Sequence, residues 1–137
     1  MIAAIDVSSP VFGFVVGVLV TVVLLAAVLF TGFTAQRKRH IPLVVLYFVA
    51  LGTTIFFAER MGRELDLEAA GAITTIHLTL AKITTLSWVF PVITGVRTLR
   101  HPERKKQHRT VALVLVAMTV VTLVTGLWMV SAAQPLP

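Results

Sequence analysis

Residues 11–40 read VFGFVVGVLVTVVLLAAVLFTGFTAQRKRH, an apolar run that ends in a short basic segment. The apolar part, Val11 to Phe33, has 23 residues, and about 20 apolar residues are enough to cross a bilayer core of about 30 Å. The run is too long for a strand and lacks the alternation of a half-buried one. Because backbone groups in lipid must bond within their own segment, the run is predicted to be a membrane-spanning helix.

Three more apolar runs follow, from Ile41 to Ala58, from Ile73 to Val96 and from Val111 to Ala132. The composition agrees, since 13% of the residues are charged and a soluble domain carries about 25%. No internal repeat is apparent. We predict an all-α integral membrane four-helix bundle that forms a single domain over residues 1–137. Its helices are expected at about 10–33, 41–59, 72–97 and 109–131.

Basic residues are concentrated in two short segments, Gln36–His40 and Arg97–Arg109, which hold nine of the twelve Lys and Arg residues. Short basic loops stay on the cytoplasmic side of a membrane. Both termini and the acidic segment Glu59–Glu68 are therefore predicted on the outer side, and the expected location is the bacterial cytoplasmic membrane. In this position the basic loops would meet anionic lipid headgroups rather than nucleic acid. The sequence has no cysteine, which excludes disulfides and thiolate metal sites.

Four histidines, His40, His77, His101 and His108, are candidates for chemistry. Neutral imidazole ligates haem iron, copper and zinc, and helix bundles place such ligands on inward faces. The helix faces that carry His40, His77 and His108 also carry small and polar residues, so we expect these faces to meet. His40 and His108 are predicted at the cytoplasmic ends of their helices, where they could share one haem or metal. Alternatively, they contact lipid phosphates or loop carbonyls at the interface.

His77 is predicted about 28 Å from the inner end of its helix, at 1.5 Å per residue. It therefore cannot share one metal with the two inner histidines. A second, outer site would need other ligands, and histidine with methionine suits copper or a haem axial position. The candidates at similar depth are Met61, Met129 and Glu59. Alternatively, His77 is a packed polar residue that bonds a threonine.

Lys82 lies inside the third apolar run, where a lysine costs about 2.5–3.5 kcal/mol on insertion scales. It could pair with Glu59, contact a cofactor carboxylate or a quinone oxygen, meet an acidic partner subunit, or extend to the outer interface. Gly13 and Gly17 allow the first helix to pack closely against another helix, either within the bundle or in another subunit. Pro91 is expected to bend the third helix. No hydrolase constellation, phosphate loop or carboxylate pair occurs, so catalysis by this chain is not favoured.

The second half carries an ordered pattern: His77-x-x-Leu80-Ala81, Pro91-x-x-Thr94-x-x-Arg97-x-Leu99, Glu103-Arg104-x-x-x-His108-Arg109-x-x-Ala112 and Val124-Thr125-Gly126. With the basic segment before His40, this pattern resembles the CtaM/YozB-like family of four-helix bacterial membrane proteins over residues 36–130. The best-known branch of that family is linked to maturation of haem-copper terminal oxidases. Its members often carry a further histidine near the outer end of the second helix, where this chain has Phe57-Ala58-Glu59-Arg60.

The resemblance implies involvement with haem or copper at the respiratory membrane. The leading expectation is an accessory protein of the respiratory chain that acts in terminal oxidase assembly or as a small subunit, with oxidase subunits as partners. His40, His77 and His108 would hold the haem or metal, and Lys82 or the basic loops would meet cofactor carboxylates. The alternatives are a b-type haem electron-transfer protein and a purely structural subunit of a larger membrane complex.

Overall fold

The computed structural model describes residues 9–136, and its contacts divide the chain after Leu65 into two compact units. The first unit contains the helices α1, Pro10–Phe33, and α2, Arg37–Gly62. The second unit contains α3, Ala72–Ser87, α4, Val89–Arg100, and α5, Lys105–Ala132. Short 3-10 helices cover Glu68–Ala70 and Pro102–Arg104, and the strands β1, Leu65–Asp66, and β2, Gln134–Pro135, pair with each other.

The all-α prediction is confirmed. Four helical segments are long and apolar enough to cross a membrane: Pro10–Phe33, Arg37–Gly62, Ala72–Arg100 and Pro102–Ala132. Two of these helices begin about four residues earlier than predicted, at Arg37 and Lys105. Arginine and lysine are good helix formers, so the helix continues into the basic segment where the apolar run has ended. As a result, His40 and His108 lie inside the first turns of α2 and α5.

The third span is interrupted at Trp88, which separates α3 from α4. Pro91 has no backbone N–H to bond the carbonyl four residues earlier, at Ser87, and this is where α3 ends. The Trp88 N–H instead bonds the Thr85 carbonyl at 3.3 Å, a tighter turn than the α-helix. The expected disturbance at Pro91 therefore appears as a short break three residues before it.

Close packing in the first unit depends on small and hydroxyl side chains. The Ser9 side chain caps α1 by accepting a bond from the Phe12 N–H at 3.2 Å, and Pro10 occupies the first turn. Gly17 lies so near α2 that a Cβ there would be 3.3 Å from the Thr54 Cα. One helical turn further along α1, Thr21 and Thr54 join the two helices by a buried hydrogen bond of 2.9 Å.

The second unit repeats this arrangement between α3 and α5, where Thr84 and Thr122 are hydrogen-bonded at 2.9 Å. Positions on α1 have their equivalents 63 residues later, on α3 and α4, and positions on α2 have theirs 68 residues later, on α5. The identical residues at these offsets are Thr21 and Thr84, Thr31-Gly32 and Thr94-Gly95, His40 and His108, Thr54 and Thr122, and Met61 and Met129.

The expectation that the chain has no internal repeat is therefore wrong. The repeated residues are mainly those at the helix–helix contacts, and both Met61 and Met129 are buried. Elsewhere the apolar side chains differ between the units, since Val, Leu and Phe are interchangeable where they only need to be apolar. The offset also changes by five residues at the basic loop, which hides the repeat from a search at one fixed period.

Candidate cofactor-ligating histidines

Three of the four histidines lie against a Thr-Gly dipeptide on a neighbouring helix of the same unit. The sequence has three such dipeptides, and each one faces a different histidine. We call these arrangements the His–Thr-Gly contacts. They join His40 to Thr31-Gly32, His108 to Thr94-Gly95, and His77 to Thr125-Gly126.

The imidazole Nδ1 atom faces the threonine hydroxyl in each contact. The Nδ1–Oγ1 distance is 3.3 Å for His40 and Thr31, 3.1 Å for His108 and Thr94, and 3.2 Å for His77 and Thr125. The same nitrogen of His40 also lies 3.0 Å from the carbonyl oxygen of Val28. Each ring is therefore anchored through one edge to the opposite helix.

The glycine of each dipeptide provides the space that the ring occupies. A Cβ atom built on Gly32 would lie 3.2 Å from Cε1 of His40, and one on Gly95 would lie 3.2 Å from Cε1 of His108. At Gly126 the distance to Cε1 of His77 would be 2.7 Å. Carbon atoms pack best at about 3.5–4.0 Å, so any side chain at these positions would displace the imidazole.

The helix order explains two of the contacts. Thr31-Gly32 lies in the last turn of α1, and His40 lies in the first turn of α2. Two antiparallel helices joined by a short loop bring these turns together. Thr94-Gly95 lies in the middle of α4, somewhat more than one turn before its end, and meets His108 in the first turn of α5. Both contacts are therefore next to a basic loop.

The third contact lies at the other end of the second unit. His77 is in the second turn of α3 and meets α5 at Thr125, seventeen residues beyond His108. At 1.5 Å per residue this separation is about 26 Å along α5. His77 and His108 are therefore too far apart to ligate one metal ion, as the sequence predicts. His40 belongs to the other unit, and its sharing of one site with His108 stays a prediction.

The remaining candidate residues lie outside these contacts. Lys82 is exposed on α3, and its role stays a prediction. His101 is exposed in the second basic loop, where its Nδ1 lies 3.2 Å from a Glu103 carboxylate oxygen.

Within residues 9–136, no group of three or more His, Asp or Glu residues is arranged to hold a metal ion. Each His–Thr-Gly contact supplies one imidazole, which is what one axial position of a haem takes.

The sequence allows a threonine as the partner of His77, in agreement with its bond to Thr125, but it does not predict the dipeptides as partners of His40 and His108. The available signal was that the sequence has three Thr-Gly dipeptides and three histidines within helices.

The first unit also differs from the second at the end away from the basic loop. There, the ring of Phe57 on α2 fills the space beside Gly13 on α1, where a Cβ would lie 2.5 Å from the phenyl ring. The ring beside Gly13 thus comes from the second helix of its unit, whereas the His77 ring beside Gly126 comes from the first helix of its unit.

Comparisons with family models, with curated proteins and with solved structures give no match for this chain. The resemblance to the CtaM/YozB-like family stays a prediction, and the structural support for a ligand site comes from the histidine geometry.

Proposed function

We propose that this protein is an accessory membrane protein of the respiratory chain that binds haem, or alternatively copper, through its intrahelical histidines. It would act in the assembly of a terminal oxidase or as a small oxidase subunit. The supporting observation is that three imidazoles within apolar helices are each anchored through Nδ1 to the opposite helix. Metal-ligating histidines characteristically use one ring nitrogen for such an outer contact and the other for the metal.

The proposal includes insertion in the bacterial cytoplasmic membrane with both termini on the outer side. Four helical segments have the length and hydropathy of membrane spans. The two segments richest in Lys and Arg lie where the chain passes from one helix to the next within each unit, and the positive-inside rule favours the cytoplasmic side for them. With this orientation, His40 and His108 lie near the cytoplasmic surface and His77 lies near the outer one.

In this proposal His40 and His108 are the principal ligands, because each adjoins a basic loop. The arginines and lysines of these loops would pair with the haem propionates, and Lys82 would contact a cofactor carboxylate or a partner subunit. His77 would serve a separate outer site. Haem would supply one-electron redox chemistry or would be transferred to an oxidase. The link to the respiratory chain comes from the family resemblance, whereas the ligand assignment comes from the geometry.

The test is the absorption spectrum of the full chain, purified from bacterial membranes in a mild detergent, before and after reduction. We expect a Soret band and a reducible alpha band. His40→Ala and His108→Ala should each remove or shift these bands. His101→Ala is the matched control, because it removes the same side chain from an exposed loop position outside the contacts, and it should leave the spectrum unchanged.

Metal analysis and reconstitution complete the test. A protein that contains neither haem nor copper after purification, and that binds neither added haemin nor added Cu²⁺, would overturn the proposal. Copurification with oxidase subunits would support the accessory role. Stable haem that is reduced by quinol, without oxidase subunits, would instead indicate an independent electron-transfer protein.

A further inference from the structure

The three threonine hydroxyls of the His–Thr-Gly contacts also bond their own helices. Thr31 Oγ1 lies 2.8 Å from the Ala27 carbonyl oxygen. The equivalent distance is 2.9 Å from Thr94 to Phe90 and 3.0 Å from Thr125 to Val121. A carbonyl oxygen can only accept a hydrogen bond, so the hydroxyl donates to it. Because a hydroxyl has one proton, it must accept the bond that it shares with the histidine.

This proton count fixes the tautomer of the imidazole. If the hydroxyl accepts, Nδ1 carries the proton, and in a neutral imidazole Nε2 then carries the lone pair. The Val28 carbonyl, 3.0 Å from Nδ1 of His40, independently requires the same assignment in that contact. In each contact the nitrogen able to ligate a metal is therefore the one on the ring edge away from the threonine.

We propose that Thr31, Thr94 and Thr125 are positioning residues that hold the three histidines in the Nδ1–H tautomer and present Nε2 to a metal or haem iron. This inference deepens the proposed function and rests on it. The same geometry recurs in both units and at both ends of the second unit, although the loops and helix pairs differ. Packing alone does not require a hydroxyl beside each ring, since valine has nearly the same shape.

A threonine hydroxyl also donates to a carbonyl of its own helix at a position that has no histidine contact, and this threonine provides a control. Thr53 Oγ1 bonds the Val49 carbonyl at 2.9 Å on the exposed side of α2. Thr53→Val removes the same intrahelical bond as Thr31→Val on the other helix of that unit, and no histidine bond is lost with it. A difference between these two variants therefore measures the role of the hydroxyl at the imidazole.

The first measurement uses the cofactor-free full chain in detergent micelles, with ¹⁵N-labelled histidine. The imidazole nitrogen shifts should show the Nδ1–H tautomer for His40, His77 and His108. The threonine-to-valine variants should move their histidines toward a tautomer mixture, least at His40, where the Val28 carbonyl remains. Serine at the same positions should restore the wild-type shifts. The Nε2–H tautomer in the wild type, or unchanged shifts in all three valine variants, would overturn the inference.

The second measurement titrates haemin into the wild type and into Thr31→Val, Thr94→Val, their serine counterparts and Thr53→Val. Loss of an outer partner costs about 10- to 100-fold in metal affinity, so Thr94→Val should bind haemin more weakly by this factor and with a shifted reduction potential. Thr31→Val should have a smaller effect, because the Val28 carbonyl still accepts a bond from Nδ1 of His40. Serine should restore both. Equal affinity and potential in every variant would overturn the positioning role and leave the proposed function intact. Absence of haemin and Cu²⁺ binding to the wild type would instead overturn the proposed function, while the nitrogen shifts still decide the tautomer.

Discussion

The fit between Gly126 and His77 can be tested with the substitution Gly126→Ala. A methyl group there would lie 2.7 Å from Cε1, 3.2 Å from Nδ1 and 3.3 Å from Nε2 of the imidazole. Carbon–carbon separations below 3 Å are strongly repulsive, so the ring or the helix must move. The ring cannot swing away freely, because its hydrogen bond to Thr125 would be lost.

The loss of folding free energy caused by Gly126→Ala has two parts. An extra carbon in a well-packed contact costs about 1–3 kcal/mol, and loss of the imidazole hydrogen bond costs about 0.5–1.5 kcal/mol. Alanine in a helix gains about 0.5–1 kcal/mol over glycine. Gly52→Ala is the matched control, because a Cβ at Gly52 has no atom within 4 Å. The propensity gain is common to both substitutions and cancels in the difference, which should be about 1.5–4.5 kcal/mol, the sum of the packing cost and the hydrogen-bond cost.

The assay is equilibrium unfolding of both variants in mixed micelles as the fraction of denaturing detergent increases. Gly126→Ala should lower the free energy of unfolding relative to Gly52→Ala by the difference given above. The His77 imidazole ¹⁵N shifts should change in the same variant. Equal stability of the two variants, with an unchanged His77 signal, would refute the packing argument.

The remaining predictions concern three other contacts. Gly17→Ala would place a Cβ 2.7 Å from Oγ1 and 3.3 Å from Cα of Thr54. It should destabilise the protein by about 1–3 kcal/mol in the same assay. A double-mutant cycle with Thr84→Val and Thr122→Val should give a coupling energy of about 0.6 kcal/mol, and strict additivity would contradict their hydrogen bond. Lys82→Leu should favour insertion of the third span by about 3 kcal/mol in a glycosylation-based insertion assay, and unchanged insertion would contradict its place within the membrane.

The helical class could be predicted from the sequence because an apolar run of this length leaves the backbone only one way to satisfy its polar groups in lipid. The ends of the helices were harder to predict. Hydropathy falls at Arg37 and Lys105, whereas the helical backbone already begins there. The prediction placed the helix starts at about residues 41 and 109, just after each histidine, which concealed that both histidines belong to first turns facing the preceding helix.

The histidines could be identified as candidates from residue type and position, but their partners could not. A helical stripe shows which residues share a face with His40, yet it does not show which neighbouring helix that face meets. The partner depends on the register between two antiparallel helices, and this register depends on the loop between them. Nine residues separate Thr31 from His40, whereas fourteen separate Thr94 from His108. No single spacing in the sequence therefore indicates both contacts.

The difference in loop length is itself an argument about function. Both units bring a histidine against a Thr-Gly dipeptide next to the basic loop, despite the five additional residues in the second loop. At the opposite end the units differ, since a phenylalanine ring lies beside Gly13 and a histidine ring lies beside Gly126. Among the ring–glycine contacts, the one next to the basic loop is therefore the one that the repeat preserves. For this reason we expect His40→Ala and His108→Ala to change the haem spectrum to the same extent, and a loss confined to one of them would show that the two repeated contacts have separate roles.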